Sequence, residues 1–206
     1  MAQAFAELND GELLRLMLAG DAGAFAVLYE RRQAGVYRFA LRMSGSESLA
    51  EDVTHDVFLA LMRDGAQYDA TRGSLTTYLY AITRNRVLRL LAREKIYVVR
   101  DDEDDNSWEE SFVAPDDPLA DLSRREMTES VRQAVLALPL HYRELIILCY
   151  LQDTTYEEAA RVTGCAIGTV RSRLSRGRGL LLEKLRAQRE EAAAPARLTL
   201  VTRLAL

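Results

Sequence analysis

The sequence predicts an all-α protein built as two small helical domains that are joined by an acidic linker. Three observations indicate this fold class. Apolar residues recur at helical spacing along most of the chain, hydrophobic residues make up 49% of it, and only four of its 206 residues are proline. A run of acidic residues then divides the helical stretches into two groups, and a chain of this length has room for one or two domains.

Four helices are expected before the linker, at residues 10–19, 21–43, 46–63 and 74–95. The second and third carry apolar stripes that should face a common core. The stripe residues are Phe25, Leu28, Tyr29, Val36, Phe39 and Ala40 in the second helix, and Leu49, Val53, Val57, Phe58 and Leu61 in the third. Gly45 and Ser46 separate these two helices, and a loop at 64–73 precedes the fourth. The predicted N-terminal domain spans residues 10–96.

The linker is predicted at residues 97–118 from its charge. Residues 101–121 hold ten acids and no Lys or Arg, so like charges repel and favour an extended chain. Pro115 and Pro118 are expected to break any helix there. Trp108 and Phe112 are unusual in a purely solvating spacer; they either pack on a neighbouring domain or dock on a partner.

After the linker, helices are expected at residues 119–138 and 140–151, and Pro139 stands where the second of them would begin. A helix-turn-helix follows. Thr155 and Glu158 have the spacing of a capping box, and Gly164 is a plausible helix stop. A second helix restarts near Thr169, its candidate cap, with inward positions at Val170, Leu174, Leu181 and Leu185. The predicted C-terminal domain spans residues 119–188, and 189–206 form a tail of unknown role, either disordered or an apolar docking segment.

Positive charge is concentrated in this second helix although the whole chain has a formal net charge of −4. Between Arg161 and Arg186 there are seven basic residues and one acid. Arg can bond guanine edges bidentately, and Ser adapts to base or phosphate, so the helix suits the major groove. The alternative is the solvated basic face of an ordinary amphipathic helix. The candidate DNA contacts are Arg171, Ser172, Arg173, Ser175 and Arg176.

The fourth helix holds a second basic cluster, and the third helix is acidic. Residues 84–95 contain five basic residues and one acid, and Tyr68, Tyr78 and Tyr80 lie just upstream. Cations interleaved with aromatic rings suit single-stranded DNA, although the tyrosines could instead be core residues, Tyr80 more readily than Tyr78. The acids of the third helix favour a protein partner over DNA, or are simply a solvated face. They are Glu47, Glu51, Asp52, Asp56 and Asp64.

Catalysis, a cofactor and membrane insertion are not expected. His55 and His141 lie on separate helices without a nucleophile, metal-ligand spacing or a phosphate-binding loop. Cys149 and Cys165 fit reduced thiols better than a disulfide framework. No apolar run has transmembrane length and the N-terminus does not resemble a signal peptide, so a cytoplasmic location is expected.

The order of these segments resembles the extracytoplasmic-function (ECF) group of the sigma-70 family of bacterial RNA polymerase sigma factors. Residues 50–58, AEDVTHDVF, are similar to region 2.2, and residues 73–85, GSLTTYLYAITRN, to regions 2.3 and 2.4. Residues 138–144, 156–160 and 168–174 are similar to region 4. The matches cover roughly residues 10–186 in the expected order. The chain departs from the family at three positions, where Trp, Gln and Asp are frequent: Tyr78, His55 and Arg89.

The resemblance implies that region 2 binds the β′ clamp helices of core RNA polymerase and captures the melted −10 element, while region 4 binds the −35 element and the β flap. The implied polymerase contacts are Glu51, Asp52 and Asp56, and the implied −10 contacts are the loop 67–74 with Tyr78, Arg84, Asn85, Arg86 and Arg89. The linker would thread the core enzyme near its active-site cleft, and an anti-sigma factor is an expected partner. The alternative function is a stand-alone helix-turn-helix regulator with an N-terminal dimerisation or sensing domain, which would bind promoters without polymerase.

Overall fold

The structure is a computed structural model that describes the backbone of residues 5, 7–97 and 118–204, and the side chains of residues 5, 7–93 and 127–190. The described residues form α-helices without any strand, which confirms the predicted all-α class. The helices are α1 (Asp10–Leu18), α2 (Ala22–Ser44), α3 (Glu47–Asp64), α4 (Leu75–Tyr97), α5 (Pro118–Leu136), α6 (Leu140–Ile146), α7 (Tyr156–Thr163) and α8 (Ile167–Leu204). None of the described helices is long and apolar enough to cross a membrane.

Side-chain caps determine where the first three helices begin. The side chains of Asn9, Asp21 and Ser46 accept hydrogen bonds from backbone N–H groups in the first turns of α1, α2 and α3. Such a cap contributes about 1 kcal/mol. Asp21 and Ser46 are therefore caps, and each helix begins one residue later than the sequence predicts.

Helices α1 to α4 enclose the apolar residues of the predicted stripes. All five stripe residues of α3 are buried, as are Leu28 and Phe39 of α2. Tyr29 is half-buried and packs edge-on against Phe58, with 4.7 Å between ring centroids. Two short 3₁₀ turns, Gly65–Gln67 and Ala70–Arg72, occupy the predicted loop between α3 and α4.

Helices α5 to α8 form the second group, and they correct two predictions. Pro118 does not break a helix but begins α5, because a first-turn proline lacks only an N–H that would be unpaired there anyway. Thr169 is not the cap of α8. The helix begins at Ile167, and the N–H groups of Thr169 and Val170 donate to the carbonyl of Ala166 at 2.8 and 3.0 Å.

Two further predictions concern the linker and the tail. The backbone of α8 continues without interruption to Leu204, so the predicted tail is helical for most of its length. Trp108 and Phe112 lie outside the described residues, as does the interval 98–117 that separates α4 from α5.

The two groups of helices pack against each other, although the sequence predicts only that a linker joins them. Helix α4 contacts α7, and α2 contacts α5, α6 and the π-helical turn Ile147–Leu151 that extends α6. Buried residues of both groups form one hydrophobic cluster. The guanidinium of Arg42 donates to the carbonyl of Leu151 at 2.8 Å, and that of Arg143 donates to the carbonyl of Met43 at 2.7 Å.

Candidate nucleic-acid and polymerase interfaces

The first helix of the helix-turn-helix is fixed at both ends as predicted. The N–H of Thr155 donates to the Glu158 carboxylate at 3.0 Å, and the N–H of Glu158 donates to the Thr155 hydroxyl at 3.2 Å, which completes the capping box. Gly164 ends the helix in the left-handed conformation at φ 69°, where a side chain would be strained. Local chemistry therefore fixes both ends of α7.

The second helix, α8, presents its polar residues on the face opposite its core contacts. Val170 and Leu174 are buried, while Arg171, Ser172, Ser175 and Arg176 are exposed. Arg173 is half-buried at the edge of this face. Because an α-helix fits the major groove of B-DNA, the exposed face can approach base edges while the buried face stays in the domain core.

A glycine that the sequence reading missed fixes the approach of α8 to α6. Gly177 is buried, and a Cβ added there would lie 3.3 Å from Tyr142 Cβ and 3.4 Å from Ile146 Cγ1. The two helices thus come closer than a side chain at this position would allow. The signal was present in the sequence, since Gly177 continues the buried series of Val170 and Leu174 by helical spacing.

On α4, three of the predicted −10 contacts share one face. Tyr78, Asn85 and Arg89 are separated by seven and four residues, so they align along the helix, and Asn85 and Arg89 are exposed. Tyr78 is half-buried beside Tyr68, with 5.6 Å between the ring centroids. Tyr80 is only 5% exposed and belongs to the core, as the alternative interpretation of the tyrosines favoured.

A surface pocket of about 310 Å³ lies beside this face and is lined by residues of the 67–74 loop, the first turns of α4 and Arg161 of α7. The hydroxyl of Tyr68 donates to the carbonyl of Gly73 at 3.0 Å and closes the loop. Gly73 has φ 152° and ψ 175°, a conformation that is essentially restricted to glycine. Burial raises the pKa of both Tyr68 and Tyr78 above the ordinary tyrosine value, at which the phenol is already neutral at physiological pH.

The other two predicted −10 contacts are engaged in ion pairs. Arg84 Nε donates to a Glu144 carboxylate oxygen at 2.7 Å, and this pair joins α4 to α6 across the junction of the two helical groups. The Arg84 and Glu144 side chains are 20% and 3% exposed. Arg86 Nη1 lies 2.8 Å from Asp56 Oδ2 on α3. A predicted DNA contact is therefore paired with a predicted polymerase contact. The five basic and polar residues predicted on α4 therefore do not form one free surface in this arrangement.

The acidic face of α3 is accessible. Glu51 and Asp52 are exposed, and Asp56 is half-buried. A groove of about 500 Å³ lies beside them between α2 and α3. The pKa of Tyr37 in this groove is raised by burial and by the nearby carboxylates of Glu47 and Glu51, which indicates a negative potential at this face.

Two apolar residues that sequence reasoning missed extend this face toward the end of α3. Leu59 and Met62 are 49% and 51% exposed. They lie one and two turns beyond His55 on the same side of the helix. Helical spacing could have identified them, because they fall outside the buried series of Val57, Phe58 and Leu61.

Among the described residues, no group of three His, Cys, Asp or Glu side chains could hold a metal ion. Cys149 and Cys165 are both free thiols. Burial raises the pKa of the Cys149 thiol and makes it a poor nucleophile. The exposed surfaces described above are the Arg and Ser face of α8, the aromatic and polar face of α4, and the acidic face of α3 with its apolar extension.

Two models of known protein families match this chain. The family model described as Sigma-70 region 2 matches residues 28–96, and the model described as Sigma-70, region 4 matches residues 128–181. The first match contains α3 and all but the last residue of α4, and the second contains α7 and the first turns of α8.

Individual relatives span most of the chain. The ECF RNA polymerase sigma factor SigM of Mycobacterium tuberculosis is 30% identical over 182 residues, which cover 87% of this chain and 86% of that protein. SigW of Bacillus subtilis, also an ECF RNA polymerase sigma factor, is 28% identical over 175 residues, or 81% of this chain and 91% of SigW. Among solved structures, the sigma factor RpoE in complex with the anti-sigma factor NepR from Bartonella quintana superposes with a TM-score of 0.63 at 25% identity, covering 79% of this chain and 96% of RpoE.

Proposed function

Because this chain belongs to the ECF group of RNA polymerase sigma factors, which direct promoter-specific transcription initiation, we propose that its two DNA-reading surfaces and its acidic surface divide that task among named residues. The observation that carries the assignment is the exposed Arg and Ser face of α8, which lies opposite a fully buried Val170 and Leu174. This face reads the −35 element in the major groove through Arg171, Ser172, Arg173, Ser175 and Arg176.

The face of α4 and the pocket beside it capture the melted −10 element. Extruding a base costs a few kcal/mol of stacking, and stacking on an aromatic side chain returns about 1–3 kcal/mol per base. The neutral ring of Tyr78 supplies that stacking where other family members often carry Trp. Asn85 and Arg89 bind the same strand, and Arg84 and Arg86 join them once their carboxylate partners are displaced.

The acidic face of α3 binds the β′ clamp helices of polymerase through Glu51, Asp52 and Asp56. Leu59 and Met62 add apolar contact to this interface, since partly exposed apolar residues beside a charged face suit a protein–protein surface. The apolar helices of the C-terminal group bind the β flap. This division accounts for a sigma factor that is acidic overall, because the core enzyme supplies much of the phosphate contact.

We assign the domains accordingly. Residues 10–96 form region 2, residues 97–118 the linker, and residues 119–188 region 4, with the remainder of α8 as a tail. Both family matches fall within these bounds. The chain acts in the cytoplasm and contributes no catalytic group of its own. The complex of RpoE with NepR supports an anti-sigma factor as a further partner here.

The assignment is tested by in vitro transcription with core polymerase, followed by sequencing of the transcript 5′ ends. The chain should direct initiation at a defined set of start sites only when core enzyme is present. A stand-alone regulator would instead protect the promoter from nuclease without polymerase, and that outcome would favour the alternative function.

The −35 contact is tested by replacing Arg176 with Ala. Loss of a good base contact should weaken recognition of the −35 element by about 1–3 kcal/mol, measured as run-off transcription from a mapped promoter over a range of sigma concentrations. Arg189→Ala is the matched control, because Arg189 is exposed on the same helix beyond the family match. Unchanged transcription by the Arg176 variant would remove that residue from the interface.

A further inference from the structure

We propose that the acidic segment at residues 98–117 docks on α5 in the free chain, with the indole of Trp108 lying in an apolar groove beside that helix. The occupant is a segment of this chain that lies outside the described residues. Docking needs neither polymerase nor DNA, so the inference does not rest on the proposed function. It assigns Trp108 to contact with a neighbouring domain, one of the two roles that the sequence left open.

The groove has a volume of about 190 Å³ and lies mainly on α5, which supplies five of its seven lining residues. Met127, Val131 and Val135 follow one another at four-residue spacing, so they form an apolar stripe along the helix. Leu151 of the π-helical turn and Arg42 of α2 also line the groove. Met127 is 58% exposed and Val131 is half-buried, so the first part of the stripe is accessible.

The volume of the groove suits one aromatic ring system. An apolar cavity of about 150 Å³ holds a benzene molecule. The groove is larger and open to solvent, so an indole can lie in it while its polar N–H remains in contact with water. Methionine fills irregular gaps and its thioether contacts aromatic rings favourably, so Met127 suits this occupant.

The chain between Trp108 and α5 is long enough to fold back onto the helix. Pro118 begins α5, and Val131 lies about 20 Å further along the axis at about 1.5 Å per residue. The ten residues from Trp108 to Pro118 can span up to about 33 Å. The required reversal suits residues 115–117, because Pro and Asp favour turns. Trp108 can therefore reach the middle of the groove.

Charge favours the same occupant. Residues 101–117 contain nine acids and no Lys or Arg. Arg42 and Arg132 line the groove, and none of its described lining residues is acidic. Arg132 is paired with Glu129 through hydrogen bonds of 2.7 and 2.6 Å, so part of this positive charge is neutralised within α5. An indole on an acidic segment thus meets both apolar side chains and guanidinium groups, which are attracted to the face of a Trp ring.

Covalent attachment to α5 makes even a weak contact effective. A segment joined to its site by a short connection has an effective concentration on the order of millimolar. A contact that is too weak to hold a separate peptide can therefore be occupied in most molecules. A second copy of the chain competes only near such concentrations, and for this reason the occupant is the attached segment.

Because Trp108 is the single tryptophan of the chain, its fluorescence tests the proposal directly. Met127→Glu places a charge at the edge of the groove and repels the acidic segment. The control is Leu182→Glu, which makes the same change in charge at a side chain that is 55% exposed on α8 and does not line the groove. Circular dichroism first establishes that both full-length variants keep the helix content of the wild type.

The emission of Trp108 in the wild type should be blue-shifted relative to the urea-unfolded chain. Met127→Glu should move the emission toward the unfolded value, and Leu182→Glu should leave it unchanged. If about 90% of wild-type molecules hold Trp108 in the groove, undocking raises the exposed fraction, and with it the acrylamide quenching constant, by up to about tenfold. Equal responses from the two variants, or a wild-type emission like that of the unfolded chain, would overturn the proposal.

Methyl resonances of ¹³C-labelled methionine then locate the ring, and they serve if Met127→Glu prevents folding. The Met127 resonance, assigned by its loss in Met127→Leu, should shift when Trp108→Leu removes the ring current. The resonance of Met62, which is 51% exposed on α3, should stay in place. An unchanged Met127 resonance would contradict the placement of Trp108.

Both readouts should be independent of protein concentration. A dependence on concentration would assign the groove to a second copy of the chain and would overturn docking of the attached segment. Failure of the wild-type chain to initiate with core polymerase would instead count against the proposed function. Fluorescence and methyl spectra are recorded without polymerase, so the two failures remain distinguishable.

Discussion

The two glycines in the middle of α8 should respond in opposite ways to the same substitution. Gly177 lies against α6, where an added Cβ meets Tyr142 and Ile146 at 3.3 and 3.4 Å, whereas a Cβ at Gly179 meets no atom within 4 Å. In a helix interior, replacing glycine with alanine increases the free energy of unfolding by about 0.8–1 kcal/mol. Gly179→Ala should therefore stabilise the chain by about that amount.

At Gly177 the same gain is opposed by a clash. Optimal carbon–carbon separation is about 3.5–4.0 Å, so the new Cβ is too close to a backbone-anchored Tyr142 Cβ that cannot rotate away. Forcing an extra carbon into a well-packed site costs about 1–3 kcal/mol. Gly177→Ala should thus leave stability unchanged or lower it by up to about 2 kcal/mol, and the two variants should differ by about 1–3 kcal/mol.

Urea unfolding followed by circular dichroism measures this difference. With m values of about 1–3 kcal/mol/M, the unfolding midpoints should be separated by roughly 1 M, with Gly179→Ala the higher. Each variant is the control for the other, since both substitutions add the same atom to the same helix. Equal stabilisation by both alanines would refute the close approach of α8 to α6 and, with it, the inferred placement of the recognition face.

Three other outcomes are expected. Asn85→Ala should impair promoter opening, measured by permanganate footprinting, more than closed-complex formation, measured by band shift. An equal loss in both assays would contradict the assignment of Asn85 to the melted strand. Leu59→Ser should weaken binding to core polymerase in a pull-down while changing stability by no more than about 0.5 kcal/mol, because Leu59 is half exposed; unchanged binding would exclude it from the interface. The pKa of Glu158 is lowered from its usual 4.5, because although burial raises it, hydrogen bonds from Thr155, Thr77 and Ser74 lower it by more. Its carboxylate therefore stabilises the fold above the unfolded-state pKa, and this contribution is lost as the pH falls through the lowered folded-state pKa. Wild-type stability should decline more steeply below about pH 4.5 than that of Glu158→Gln, and parallel pH profiles would contradict this.

Local chemistry made much of this fold predictable. The capping box of Thr155 and Glu158, the stop at Gly164 and the apolar register of α3 each depend on residues within one or two turns. The errors were equally local. The side chain of Thr169 suits a cap, but the helix begins earlier, at Ile167, and the carbonyl of Ala166 accepts from the N–H groups of Thr169 and Val170. The presence of a residue with a capping side chain does not prevent a helix from beginning further upstream, where a backbone carbonyl such as that of Ala166 closes the first turn.

Contacts between distant segments were not predictable in the same way. Arg84 and Glu144 are 60 positions apart, and neither the helical period nor composition relates them. Arg86 and Asp56 were assigned to different partners, yet they lie 2.8 Å from each other. Gly177 fell in a buried register, but only the course of α6 shows that a side chain there would clash.

The underlying difficulty is that a donor suited to phosphate is equally suited to carboxylate. Arg84, Ser74 and Thr77 are the residue types expected in a DNA-binding surface, and their chemistry does not specify which anion they hold. In this chain the anion is a carboxylate from the opposite group of helices. Residue type thus identifies a binding surface, while only the three-dimensional arrangement identifies its occupant.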